Sequence, residues 1–338
     1  MAAIGIPDPQ APQPGPAAAL PGTLFGYIWR YTGHHQLLLA VLSVAVFLLN
    51  AAPLEFQRRI VNDAVHRGAT TAILWLAIGY AGVALAEGAL KLVLNIYRSW
   101  VSETAVRHLR RTIHGLIIPG LANGHAAEAE GVEISMVLSE AEPIGGFVGI
   151  STSEPLLQGG ILLTVFSYMI YLQPEIALLS IAVFSPQMVI VPLIQRAINR
   201  RVRSRITVLR EVSGGIITSN HDPSFPVAAQ DARINTVFTL NMGIYKLKFS
   251  MNFLMNLMHH LGVAAALGVG GWFAARGQIE VGTVVAFVSG LAKVNDPWGD
   301  VVNWFREMMV VTVKYDLIVD TVGQLGAAAA AAPLSTGA

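Results

Sequence analysis

A membrane crossing takes about 20 apolar residues in helix, because each residue rises about 1.5 Å and the hydrocarbon is about 30 Å thick. Stretches of this kind dominate the chain: 37–56, 71–96, 151–172, 176–194, 253–274 and 281–302, the third and sixth less apolar than the rest. The composition agrees, with 54% hydrophobic and only 13% charged residues in 338. Soluble domains carry about 25% charged residues, so a globule of this size would lack the charge to stay dispersed. The sequence therefore predicts an all-α membrane protein with six transmembrane helices. A formal net charge of +1 leaves no broad basic field for nucleic acid, and the absence of Cys removes disulfide frameworks, thiolate zinc sites and Cys nucleophiles together.

The two ends differ from the middle. Residues 1–22 (MAAIGIPDPQAPQPGPAAALPG) are rich in Pro, Ala and Gln and hold no Lys or Arg. They lack both the basic start of a signal peptide and the Arg of a mitochondrial presequence, and read as a disordered arm. Residues 325–338 are Ala-rich and read as a tail without a binding role. Between them, residues 24–35 (LFGYIWRYTGHH) carry Phe25, Tyr27, Trp29 and Tyr31 around a single Arg, the composition of a segment resting at headgroup level.

The connections between spans alternate in character. Gln173-Pro174 and Arg276-Gly277 make tight turns, whereas spans two and three, and spans four and five, are separated by long segments. Basic residues choose the cytoplasmic side. Lys91, Arg98, Arg107, Arg110 and Arg111 accompany the first long connection, nine more lie between Arg196 and Lys248 in the second, and the opposite side has Arg58, Arg59, Arg67 and Arg276. The long connections and both termini are thus expected inside. These connections still read as helix. Val101, Ala105, Leu109 and Ile113 form one stripe, and Ile198, Val202, Ile206 and Leu209 another. Spans two and four are expected to continue well beyond the bilayer, which suits a protein that transmits force to a cytoplasmic partner.

Charges inside apolar spans cost about 2.5–3.5 kcal/mol each on insertion scales and are therefore informative. Glu87 and Lys91 lie four apart on one helix face, either as a self-neutralising pair near the inner leaflet or as a polar patch lining a cavity. In span six, Lys293, Asp296 and Asp300 fall along one stripe that Trp304 and Glu307 continue, thickened by Asn295, Trp298 and Asn303. Such a stripe faces protein or water, so Glu87, Lys91, Lys293, Asp296, Asp300 and Trp304 are candidates for a translocation path. Glu154 and Gln158 read as snorkelling side chains. His259 and His260 are adjacent and point about 100° apart, a poor metal-ligand pair. Gly262, Ala266, Gly270 and Ala274 form a small-residue packing stripe on span five. No H-E-x-x-H, G-x-S-x-G or complete G-x-G-x-x-G occurs, so soluble-type catalysis has no candidate.

From residue 24 to 324 this layout resembles the transmembrane domain of type I (exporter-type) ABC transporters. The aromatic segment resembles that family's elbow helix, with Asp63 placed where the family often has an acidic residue. Residues 107–119 (RHLRRTIHGLIIP) and 210–216 (REVSGGI) are similar to its two intracellular coupling segments, and 131–140 (GVEISMVLSE) to the stretch before span three, Glu140 replacing the customary Asp. Residues 270–287 (GGWFAARGQIEVGTVVAF) look like its turn between spans five and six. Pro297 and 315–319 (YDLIV) match sixth-span and linker features. Two features depart from the pattern: no phosphate-cradling G-x-x-x-x-G-K-[ST] occurs, and 222–226 (DPSFP) interrupts a region helical in the family.

The resemblance implies a domain over residues 23–324 that acts as an exporter permease in a bacterial inner membrane. It would pair with a second copy or a homologue and work by alternating access. A separate nucleotide-binding subunit would hold ATP and Mg²⁺ and carry any ATPase activity, leaving no cofactor and no catalytic residue in this chain. Arg110, Arg111, His114 and Ile117, with Leu209, Arg210, Glu211 and Ile216, would relay its closure. Two alternatives stay open on the residues: an ATP-independent, proton-coupled transporter titrating Asp296, Asp300, Glu87 or Glu154, and a degenerate or assembly subunit.

Overall fold

In hydrocarbon no water can satisfy a backbone N–H or C=O, so a spanning chain must satisfy them within its own helices. The computed structural model, which describes residues 20–66, 68, 70–121, 140–221 and 227–331, contains only helices among those residues. They are α1 (Leu24–Val65), α2 (Thr70–Leu121), α3 (Ala141–Ile150), α4 (Ser153–Leu172), α5 (Pro174–Phe184), α6 (Pro186–His221), α7 (Val227–Ala275) and α8 (Val281–Ala331). The 222–226 interruption and residues 131–139 lie outside the described residues.

Among the described residues, five helical stretches are long and apolar enough to cross a membrane: α1, α2 to Gly115, α3 with α4, α5 with α6 to Leu209, and α7 from Ala228. An integral membrane protein follows from their length and composition. The expected sixth span behaves differently. Helix α8 has ample length at 51 residues, but Lys293, Asn295, Asp296 and Asp300 break its apolar run, and it does not join the five. The 52 residues of α2 extend about 78 Å at 1.5 Å per residue, more than twice the hydrocarbon thickness.

Helix ends and breaks have local causes. Pro174 starts α5 after the extended Gln173, and Gly277 ends the α7 turn at φ 70°, a left-handed conformation that a Cβ would penalise. One expected span, 176–194, is interrupted, since Pro186 opens α6 directly after Ser185; Pro155, with no N–H to offer Ser151, marks the break between α3 and α4 at the very start of the span expected over 151–172. The break between α3 and α4 is sealed by side chains: fully buried Gln36 donates to the Val148 carbonyl at 2.8 Å, and Ser151 Oγ donates to the same carbonyl at 2.9 Å. Helix α8 continues to Ala331 through a run of Ala, the residue with the highest helix propensity.

The chain divides into two compact units. One gathers the described residues of Met1–Pro53, Ile78–Thr164 and Asp296–Ala338; the other contains Leu54–Ala77 and Val165–Asn295. In the first, the expected α2 stripe is the core: Val101, Ala105, Leu109 and Ile113 are all buried, with Ile144 and Phe147 from α3. This stripe lies beyond the apolar part of α2, where burial from water stabilises by about 1.5–3 kcal/mol per large apolar side chain. Helix α3 approaches α2 so closely that a Cβ on Gly145 would sit 2.7 Å from the Val106 amide nitrogen. In the second unit α7 packs against α5 and α6. Here the small-residue stripe packs as expected: Ala266 is buried, and Gly270 lies against Val284 and Ile176. On α6, Ile198 is buried but Leu209 is 41% exposed, so that stripe is only partly covered.

The aromatic segment 24–35 is the first three turns of α1 rather than a separate helix. Phe25 and Trp29 point outward, but Tyr27 is fully buried. Its hydroxyl lies 3.1 Å from His108 Nδ1 and 3.3 Å from the Ala105 carbonyl oxygen, and its ring lies 5.7 Å from that of Tyr315. Tyr315 in turn donates to the Pro21 carbonyl at 2.7 Å, and Leu20 is buried. Only one face of the segment is thus available to headgroups; the other staples α1 to α2 and α8. Burial drives the Tyr27 phenol upward and the His108 imidazole below its ordinary value.

Two outcomes follow for thermal unfolding in detergent. Gly145→Val should cost about 1–3 kcal/mol by overpacking, whereas Gly146→Ala, whose Cβ meets nothing within 4 Å, should be neutral or slightly stabilising. The native state keeps His108 neutral where the unfolded chain protonates it. Its contribution is therefore complete above about pH 6.5 and declines as pH falls below that value. His108→Gln should flatten the stability profile between pH 7 and 5.

Candidate functional site: a polar network in the first unit

The network is assembled from three helices. Arg98 of α2 meets Glu154 of α4 at 2.6 Å, with both side chains about five-sixths buried. Gln158, one turn along α4, donates to Glu154 at 2.9 Å and to Asp300 of α8 at 3.0 Å. The amide thus bridges two carboxylates that would otherwise repel, and only one of them has a direct cation. Lys91 lies within electrostatic reach of Asp300. Arg98 engages Glu154 through Nη1, while its Nε and Nη2 are buried without a hydrogen-bond partner among the described residues, as is Trp304 Nε1.

Glu154 and Gln158 are therefore not two snorkelling side chains. Their spacing on one helix face was visible in the sequence; the carboxylate across from them was not. Arg98, counted only for its charge toward orientation, is the cation that makes burial of Glu154 tolerable.

The remaining candidates do not join this network. Glu87 accepts a hydrogen bond at 2.6 Å from Asn50 Nδ2 of α1 and makes no ion pair with Lys91, which is exposed. Asp296 is exposed, and the Trp304 ring lies 6.0 Å from that of Phe147. Lys293 is half-buried and belongs to the second unit. The structure thus joins Asp300 to Glu154, and leaves Glu87 held by a neutral amide.

Of the expected coupling residues whose side chains are described, Arg110 is half-buried and the others are exposed. Arg110 reaches Glu142 of α3 at 3.7 Å, Arg111 and His114 are exposed, and Leu209 is exposed. Glu211 lies 3.8 Å from Arg233 of α7. The side chains of Ile117, Arg210 and Ile216 fall outside those described. Glu140, the replacement for the customary Asp, is bound by Lys314 at 2.9 Å.

No family model matches the chain. Among curated proteins it is similar to the ATP-dependent lipid A-core flippase of Pectobacterium atrosepticum, 22% identical over 199 residues covering 58% of this chain and 33% of that protein. The protein of the same name from Yersinia pestis bv. Antiqua is 21% identical over the same length and shares. The chain thus spans about a third of the length of the curated relatives it matches. This distant likeness agrees with the resemblance to an exporter transmembrane domain.

Breaking the buried pair from one side should strand a charge. Glu154→Leu alone should cost about 3–5 kcal/mol, and adding Arg98→Leu should recover most of that loss. A double-mutant cycle on thermal unfolding measures the coupling; additive losses would mean the pair is not formed.

Proposed function

We propose that this chain is the permease subunit of an ABC exporter, working as a pair with a second copy or a homologue. The single observation that carries the reading is the similarity of 58% of the chain to ATP-dependent lipid A-core flippases. The helices supply physical support. A 52-residue α2 and a 49-residue α7 reach far past a bilayer, as levers driven from outside the membrane must. On this reading the basic extensions lie in the cytoplasm, with both termini beside them. ATP hydrolysis on a separate nucleotide-binding subunit biases the transmembrane helices between inward- and outward-facing states. ATP can shift that equilibrium only through a differential free energy between the two states.

In this reading the Arg98–Glu154–Gln158–Asp300 network borders the substrate path. Its support is the set of buried donors without a partner among the described residues, Arg98 Nε and Nη2 and Trp304 Nε1, which in a closed protein core would each carry a desolvation cost of about 1–3 kcal/mol. Glu87 and Asp300, held by amides rather than cations, favour one competing reading, a transporter driven by protons.

Purification in mild detergent should bring down a stoichiometric subunit bearing a phosphate-binding loop. In vesicles containing both proteins, ATP should drive transport, and replacing the Lys of the partner's phosphate-binding loop by Ala should abolish it. Transport by this chain alone under a pH gradient, with no response to ATP, would replace this reading with the proton-driven one.

A further inference from the structure

The second unit contains a dense polar cluster that the translocation path does not use. Its centre is Arg58, near the C-terminal end of α1. Arg58 grips Glu55 with two bonds of 2.8 Å, from Nε and Nη2, and reaches Glu280 with Nη1 at 2.9 Å. Glu55 also accepts from Arg59 at 2.6 Å and from the Tyr168 hydroxyl of α4 at 2.6 Å. Asn62 donates to Glu280 through Nδ2, and its Oδ1 accepts from the Gly282 backbone N–H at 2.7 Å.

These bonds fall into two sets with different fates if the start of α8 moves. Glu55, Arg58, Arg59 and Tyr168 satisfy one another without help from α8. Glu280, just before α8, and Gly282, in its first turn, are held by Arg58 Nη1 and Asn62 alone among the side chains of the described residues. Separation there leaves Arg58 fully gripped by Glu55, and Glu280 is already half-exposed, at 51%, so opening strands no buried charge. The usual penalty for breaking an ion pair, an uncompensated charge in low dielectric, is absent by construction. The closed position is nevertheless sharply defined. A Cβ on Gly282 would collide with the Arg58 carbonyl oxygen and with Asn62 Oδ1, so the turn sits directly on α1. Behind it, buried Met169 and Val165 of α4 pack against Gly290 of α8.

We propose that the Arg58–Glu280–Asn62 contacts are a releasable latch, which holds the start of α8 against α1 and α4 and lets it lift away as α8 moves. That the latch closes the path on the side opposite the basic extensions rests on the exporter reading above. The opening itself does not.

The absence of Cys from the chain gives a clean background for testing it. Met169→Cys in the full-length protein, in nanodiscs, reports separation of α4 from α8 through its rate of reaction with N-ethylmaleimide. Labelling should be slow in the latched protein and at least fivefold faster with either Glu280→Ala or Gly282→Val. Arg59→Gln, which touches only Glu55 on its own helix, should leave the rate within twofold. Val311→Cys, buried in the first unit, should stay slow in every background. The latch is overturned if neither Glu280→Ala nor Gly282→Val accelerates Met169→Cys, if Arg59→Gln accelerates it equally, or if Val311→Cys accelerates in parallel, which would mean general loosening. Adding the nucleotide-binding subunit with ATP separates the two ideas. Acceleration by Glu280→Ala without any response to ATP supports the latch and counts against the ATP-driven reading.

Discussion

Hydrocarbon offers no hydrogen-bond partner, and that single deprivation organises this molecule. It makes the described chain helical throughout, and it makes each departure from regular helix need a local remedy. Where Pro155 interrupts the passage from α3 to α4, Gln36 and Ser151 supply the Val148 carbonyl with donors. Where a charge enters the apolar region, a partner accompanies it: Arg98 for Glu154, the Asn50 amide for Glu87, the Gln158 amide for Asp300. Pairing by amide is weaker than pairing by cation, because no opposite charge balances the carboxylate.

Two different forces hold the long helices together. Where a helix surface would otherwise meet water the hydrophobic effect operates, and the α2 stripe from Val101 to Ile113 is buried as in any soluble bundle. Within the apolar spans lipid competes equally for apolar side chains, so close fit must do the work. Ala266 and Gly270 serve that role in α7, and Gly145 lets α3 approach α2 closely. A helix that crosses from one regime to the other can be rigidly held at one end and lightly held at the other. Contacts along α8 and just before it differ in kind: Tyr315 is locked into an aromatic cluster, whereas Glu280 and Gly282 rest on polar contacts with Arg58 and Asn62.

Much of the architecture could be read from local patterns. Helical periodicity located the α2 stripe, and the turns at Gln173-Pro174 and Gly277 appear where their residue types demand them. The aromatic start of α1 was legible in composition but not in placement. Tyr and Trp favour an interface equally well whether facing lipid or facing protein, and only the position of His108 and Tyr315 decides that Tyr27 turns inward. The candidate site was half legible. Asp300 and the stripe around it stood out because charge is rare in apolar spans, whereas Glu154 and Gln158 looked like ordinary residues at a span's end.

The sequence by itself determined a helical membrane protein, because apolar run length and a 3.6-residue period are local properties. Tertiary structure alone decided which charges meet. Gln158 and Asp300 are 142 residues apart, and Arg58 and Glu280 are 222 apart. No local pattern encodes such pairings, since they depend on which helix faces pack together, and a carboxylate on a helix face looks the same in sequence whether an arginine, an amide or lipid lies opposite.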